Sequence, residues 1–302
     1  MKAFEDFFDA EDLSACVDAS STPGELNALA MPHSCYFPLW LDPAQSFTDL
    51  FLTARCAPRS FRYGLIGDNV LGLQWRLPSG VELRLGGRVV KNVAGFDLVR
   101  FLNASQGRFG APLKLVLRLR PLAEASLNLQ LRGPWANLKT LARLVRASAW
   151  AHVLDACDLH ADGQGAGLHL SFSAKPSLLV DFKGQANDWA LACGLDVVAE
   201  AGPPNTEVHP WARVQVLLDE CIDISQEWLS RYGGSVHGML GQGTLQLMSP
   251  SSNQGAQLGL YELNERLAPQ GGHCEHASLP AKADSPQARW EAELLRRLGC
   301  IA

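Results

Sequence analysis

The segment from Gly86 to Gly110, GGRVVKNVAGFDLVRFLNASQGRFG, constrains this chain more than any other. Glycines stand at 86, 87, 95, 107 and 110, with Lys91, Asn92, Asp97, Asn103 and Ser105 between them. Most of the stretch lacks the apolar period of a helix. Glycine adopts positive φ and lets backbone N–H groups approach a ligand with no Cβ in the way. Successive free N–H groups form a concavity suited to an anion such as a pyrophosphate. A planar, phosphate-bearing cofactor lying against main chain fits this composition. So does a string of tight turns joining short strands, and composition does not choose between them.

The order of the residues does bear on the choice. Gly86-Gly87, Lys91-Asn92 and Gly95-Phe96-Asp97-Leu98 lead into Ala104-Ser105-Gln106-Gly107 and Gly110, followed by a strand over Leu113–Leu119. Upstream stand Arg62-Tyr63-Gly64 and Asp68-Asn69-Val70-Leu71-Gly72. These two signatures, in this order and at this separation, resemble the flavin-binding core of the vanillyl-alcohol oxidase / p-cresol methylhydroxylase superfamily. Within it the segment is most similar to the FAD-binding subunits of bacterial glycolate oxidases. The likeness is good from about Pro58 to Pro121 and fainter to about Gly272. The Pro/Gly-rich loop that opens the family's flavin domain and its Asp-Pro…Asn-Pro-Gly-Arg end are not found, so the resemblance implies a form shortened at both ends.

The resemblance implies FAD as cofactor, held around Arg62, Tyr63, Gly64, Asn92, Gly95, Ser105, Gly107 and Gly110. It identifies no catalytic residue and no metal ligand. It implies an α+β fold: a shortened p-cresol-methylhydroxylase-type FAD-binding domain over 1–121, then a ferredoxin-like α+β cap domain over 122–302. The function implied is that of an electron-transferring FAD subunit in a glycolate-oxidase-like 2-hydroxyacid dehydrogenase complex. Its partners would be a flavin subunit and an iron–sulfur subunit. The alternatives are a scaffold or docking subunit that has lost the flavin and, less favoured, a free-standing small-molecule binder.

Composition excludes other classes. Among 302 residues, 47% are hydrophobic and 19% charged, as in a globular protein with a full core. A net charge of −5 provides no basic field for nucleic acid. No apolar run approaches the roughly 20 residues of a membrane span, and the acidic start lacks a signal-peptide core. The expected location is the cytoplasm, with any contact with the inner membrane made through partners. The eight cysteines are scattered without a Cys-x-x-Cys, unlike zinc or iron–sulfur sites, and are read as reduced residues.

Apolar spacing predicts a helix near Glu5–Val17, a capped helix start at Ser21–Glu25, and a strand-like Met31–Leu41. A hairpin is expected over Asn69–Leu85 with Pro78-Ser79-Gly80 at its turn, then a short helix over Asp97–Leu102. Beyond Pro121, strands at Ser126–Leu131, Val153–Leu159, Leu168–Phe172, Leu178–Phe182, Val214–Leu218, Ser235–Leu240 and Thr244–Met248 alternate with helices at Trp135–Ala149, Gln185–Cys193, Ile222–Tyr232 and Gln254–Leu267. His152, His160 and His169 are candidate bases without a carboxylate neighbour in sequence. Asp155, Asp158 and Asp162 lack the ligand spacing of a calcium loop.

Overall fold

The computed structural model describes residues 5–53, 59–87, 97–198, 210–248, 253–275 and Arg296. The chain divides into two units. Residues up to 56 and 63–122 belong to the first, and residues 57–62 and 123–280 to the second.

The first unit opens on a hairpin of β1 (Phe7–Asp9) and β2 (Ser14–Asp18). This corrects the helix expected near Glu5–Val17. The Asp9 carboxylate accepts the backbone N–H groups of Glu11 (3.1 Å) and Asp12 (2.9 Å), and Leu13 takes φ +49°. An aspartate that caps its own following turn favours reversal over helix. The next expectation holds: α1 (Pro23–Ala30) starts at a reciprocal cap between Thr22 and Glu25, with proline inside its first turn.

Met31–Leu41 is not a continuous strand. Met31–His33 is a single 3₁₀ turn, and only β3 (Cys35–Tyr36) pairs with a neighbour. Pro32 and Pro38 each remove a ladder donor, which limits pairing. After α2 (Phe47–Thr53), and past α3 (Ser60–Tyr63), whose first three residues belong to the second unit, comes the expected hairpin of β4 (Val70–Arg76) and β5 (Glu82–Gly86). Its turn is closed by Leu77 N–H to Val81 O at 2.9 Å, with Gly80 at φ +85°. Then follow α4 (Leu98–Leu102), β6 (Ala111–Arg118) and β7 (Arg120–Pro121). The main sheet is antiparallel in the order β1-β2-β6-β4-β5. Phe37, Phe47, Leu50, Phe51, Ile66, Leu73, Trp75, Leu115 and Leu117 are buried in this unit.

The second unit runs β8 (Ala125–Arg132), α5 (Trp135–Ala147), β9 (Ala156–Asp162), β10 (Gly165–Ala174), α6 (Pro176–Cys193) and β11 (Asp196–Val198). It continues with β12 (Ala212–Gln215), α7 (Cys221–Tyr232), β13 (Ser235–Met239), β14 (Thr244–Met248), α8 (Asn253–Leu267) and β15 (His273–Glu275). Each half is a βαββαβ series, the ferredoxin-like arrangement. All eight strands form one antiparallel sheet, β11-β8-β10-β9-β13-β14-β12-β15. The halves meet strand to strand at β9 and β13, where His160 pairs with His237. The α+β, ferredoxin-like reading therefore holds, as two such halves in one sheet.

One strand expectation fails in this unit. Leu178–Phe182 lies inside α6, which runs unbroken from Pro176 until Gly194 ends it at φ +60°. Leu178, Val180 and Phe182 alternate like a strand, but only Phe182 of the three is buried. The buried set continues through Ala186, Trp189, Ala190 and Cys193 at helical spacing.

The sheet's two faces differ sharply. Leu127, Leu129, Leu131, Leu159, Leu168, Leu170, Val236, Leu245 and Leu247 belong to the apolar core shared with the helices. The opposite face carries Asn128, Gln130, Asp158, His160, His169, Ser171, His237 and Gln246. The strand registers place these residues at neighbouring positions.

Candidate functional site: a strained glycine turn

The turn from Asn103 to Gly110 is built between α4 and β6. Asp97 caps α4 by accepting the Arg100 N–H at 3.1 Å. Past the helix the backbone enters the left-handed region at Ala104 (φ +62°), Gln106 (φ +51°), Gly107 (φ +78°) and Gly110 (φ +113°). Two of these are not glycine, and each such residue costs on the order of 1–2 kcal/mol. The surrounding fold enforces them. The N–H groups of Ala104 and Gln106 donate to the carbonyls of Phe51 and Leu52 at the end of α2, both at 3.0 Å. Strain of this kind, held by neighbouring structure, concentrates at functional sites.

Within the turn, the N–H groups of Ser105, Arg108 and Gly110 are also used internally. The Gly107 carbonyl accepts the Gly110 N–H at 3.1 Å, and a Cβ built on Gly107 would meet nothing nearer than 3.9 Å. Ser105 is buried, and its Oγ has no hydrogen-bond partner among the described residues. A buried hydroxyl left unpaired costs roughly 1–3 kcal/mol. An acceptor on a bound molecule would remove that cost. Gly110 has a different reason for being glycine: a Cβ there would stand 2.0 Å from the carbonyl oxygen of Arg76.

The Arg62-Tyr63-Gly64 signature divides between the two units. Tyr63 lies in the first, its hydroxyl 3.4 Å from that of Tyr36 and its ring 5.4 Å from the Arg120 guanidinium. Gly64 takes φ +72°, and a Cβ there would fall 2.5 Å from an Asp68 carboxylate oxygen, the same oxygen that accepts the Leu65 N–H. A Cβ at Gly67 would stand 2.7 Å from the Asn103 amide, and Asp68 pairs with Arg100 at 2.9 Å. The Tyr63–Asp68 turn and the glycine turn are therefore neighbours.

Arg62 lies in the second unit. It donates to Asp155 at 2.9 Å and to the Val153 carbonyl at 3.2 Å. Arg59 approaches the other oxygen of the same fully buried carboxylate at 3.5 Å and donates to Ser173 at 3.1 Å. Asn92 and Gly95 lie outside the described residues.

The remaining candidates separate. His152 and His160 are exposed, whereas His169 is buried and stands opposite Asp158 in the β9–β10 register. Sequence spacing hid that pairing because the partner lies on another strand. Asp155 is held by two arginines, Asp158 lies on the polar face, and Asp162 is exposed and accepts the Gln164 N–H. Among the described residues, the cysteines at 16, 35, 157, 193, 221 and 274 are buried and form no disulfide. Among the described residues no helix is long and apolar enough to cross a membrane.

No family model matches the chain. Its relatives are FAD-linked oxidoreductases. It is 27% identical over 180 residues to a mitochondrial D-lactate dehydrogenase [cytochrome] of Arabidopsis thaliana, covering 58% of this chain and 31% of that protein. It is 31% identical over 122 residues to glycolate oxidase subunit GlcD of Bacillus subtilis, covering 40% of this chain and 23% of that protein. It is 40% identical over 73 residues to glycolate oxidase subunit GlcE of Escherichia coli, covering 24% of this chain and 21% of that protein. These matches thus span at most about a third of each relative's length. Among solved structures, alkyldihydroxyacetonephosphate synthase superposes with a TM-score of 0.67 at 12% identity, over 99% of this chain and 65% of that one. A Bermuda grass pollen isoallergen superposes with a TM-score of 0.60 at 14% identity, over 87% and 65%.

Proposed function

We propose that this chain, whose fold is that of the vanillyl-alcohol oxidase / p-cresol methylhydroxylase-type FAD-binding proteins, is the FAD-binding, electron-transferring subunit of a glycolate-oxidase-like 2-hydroxyacid dehydrogenase complex. The glycine turn is the observation that carries the reading. Four left-handed residues in seven positions, a buried Ser105 hydroxyl and an open Gly107 form a surface suited to a phosphate-bearing ligand. Similarity to glycolate oxidase subunits and D-lactate dehydrogenases supports the substrate class.

In this reading Ser105 donates to a cofactor oxygen, and Gly107 lets the main chain approach it. Tyr63 and Gly64 shape the neighbouring turn, and Asn92, Gly95 and Gly110 complete the set. Bound FAD would accept and pass on electrons, while the protein supplies binding and orientation. A flavin subunit and an iron–sulfur subunit would be its partners.

The visible absorption spectrum of the purified protein tests the reading, before and after reconstitution with FAD. Flavin bands that co-purify and vanish in Gly107→Val support it, because a β-branched residue resists positive φ and fills the approach. A colourless protein that takes up no FAD would favour the flavin-free docking role. Co-expression with neighbouring subunits, followed by light scattering, tests the assembly.

A further inference from the structure

Between α7 and α8, in the helical layer that covers the apolar face of the second unit's sheet, lies a cavity of about 220 Å³. Ile224, Trp228 and Leu263 are buried in its wall. Tyr232 adds a second ring, its centroid 4.5 Å from that of Trp228 and tilted by 48°. The Tyr232 ring lies against the α8 backbone: a Cβ at Gly259 would stand 2.0 Å from its hydroxyl oxygen. Glycine inside a helix is less stable than alanine, so α8 gives up helix stability where this ring needs the space. Trp228 is 3% exposed, and its indole N–H has no hydrogen-bond partner among the described residues. A buried indole N–H ordinarily finds an acceptor.

Four charged side chains line the same cavity: Glu227 and Arg231 from α7, Glu262 and Arg266 from α8. Arg266 holds Glu227 through two hydrogen bonds, of 3.2 and 2.8 Å, and Arg231 pairs with the same carboxylate at 3.2 Å. One carboxylate thus serves two guanidinium groups, and the trio carries one net positive charge. Glu262 takes part in no ion pair among the described residues and supplies the opposite sign. A lone anion in the cavity would meet Glu262, and a lone cation the two arginines. A molecule that carries both charges finds a partner for each, and an apolar body on it would cover the aromatic and aliphatic wall. The volume is below the roughly 300–1,000 Å³ of sites for drug-sized ligands, so the occupant is smaller than those.

We infer that this cavity binds a free α-amino acid with an apolar side chain. The ligand's carboxylate accepts from Trp228 Nε1 and Arg231, its ammonium donates to Glu262, and its side chain lies against Ile224, Tyr232 and Leu263. The inference stands independently of the flavin reading, since every residue in it belongs to α7 or α8.

L-Phenylalanine is the probe. Phenylpropionate, which lacks the ammonium, and phenethylamine, which lacks the carboxylate, are its controls. Equilibrium dialysis of labelled phenylalanine against the full-length protein as purified measures its affinity, and competition measures theirs. Phenylalanine is expected to bind saturably, and each control about tenfold more weakly or worse, the loss of one hydrogen bond to a charged group. Glu262→Gln changes an exposed residue outside the described ion pairs, and should weaken phenylalanine by about tenfold but not phenylpropionate. Trp228→Phe keeps a ring and removes the donor, so it should weaken phenylalanine and phenylpropionate alike. Arg231→Gln, at an exposed position, should do the same even if the tryptophan variant misfolds. Three results overturn the inference: no saturable binding of phenylalanine, a control that binds as tightly, or unchanged phenylalanine affinity in Glu262→Gln.

Discussion

The indole N–H of Trp75 donates to the carbonyl oxygen of Phe109 across 2.8 Å, inside the core of the first unit. This bond ties the end of the glycine turn to β4. A Cβ at Gly110 would stand 3.0 Å from the same indole nitrogen and 2.0 Å from the Arg76 carbonyl. The turn is thus clamped at Gly110 and open at Gly107, and the two glycines should answer substitution differently.

Gly110→Ala should destabilise the protein by roughly 2 kcal/mol or more, because φ +113° and a backbone clash act together. Gly107→Ala meets only the left-handed penalty, about 1 kcal/mol. Its main effect should be on flavin content. Urea unfolding and flavin absorbance separate the two, and equal stability losses would refute the distinction.

Asp155 is fully buried and pairs with both Arg59 and Arg62. Asp155→Ala leaves a buried guanidinium without this counter-charge, which typically costs about 3–5 kcal/mol. Chemical denaturation measures the loss. A change below about 1 kcal/mol would show that this pair does not hold residues 59–62 in the second unit.

The polar sheet face should impose a stability optimum near pH 6.5. Between about pH 4 and the ordinary histidine value of 6.5, His169 and His237 bind protons only when unfolded, and Asp158 only when folded. The unfolded chain then holds one more proton, so stability rises with pH by roughly 1.4 kcal/mol per unit. From 6.5 to about 8 only Asp158 differs, the folded chain holds the extra proton, and stability falls at a similar rate. Asp158→Asn should abolish that fall and leave the acid limb. Denaturation midpoints across pH 5–8.5 check the shape, and a mutant curve parallel to the wild type would contradict the assignment.

Thr22→Ala should cost about 1 kcal/mol, since it removes the acceptor for the Glu25 N–H at the start of α1. The double variant with Glu25→Ala should lose less than the sum of the single variants, because the two caps are reciprocal. Strict additivity in thermal unfolding would argue against that coupling.

Local chemistry was legible in the sequence wherever neighbours along the chain settle the matter. The Thr22-Pro23-Gly24-Glu25 cap, the Pro78-Ser79-Gly80 reversal and the 3.6-residue spacing of Leu138, Leu141 and Val145 each carry their own physical cause. The glycine and amide order of 86–110 was enough to suggest a flavin-type fold. Where apolar residues fit two periods, sequence misled. Glu5–Val17 turned on an aspartate capping its own reversal, and Leu178–Phe182 on a proline start that runs on to Gly194. Tertiary structure alone decided that Arg59 and Arg62 share the Asp155 carboxylate from more than 90 positions away. It also decided that Asp158 faces His169, and that the polar sides of β8, β10, β9 and β13 fall on one face of a doubled sheet. Strand order sets those meetings. Strand order follows from how two βαββαβ halves bury their apolar faces together, a requirement no single segment expresses.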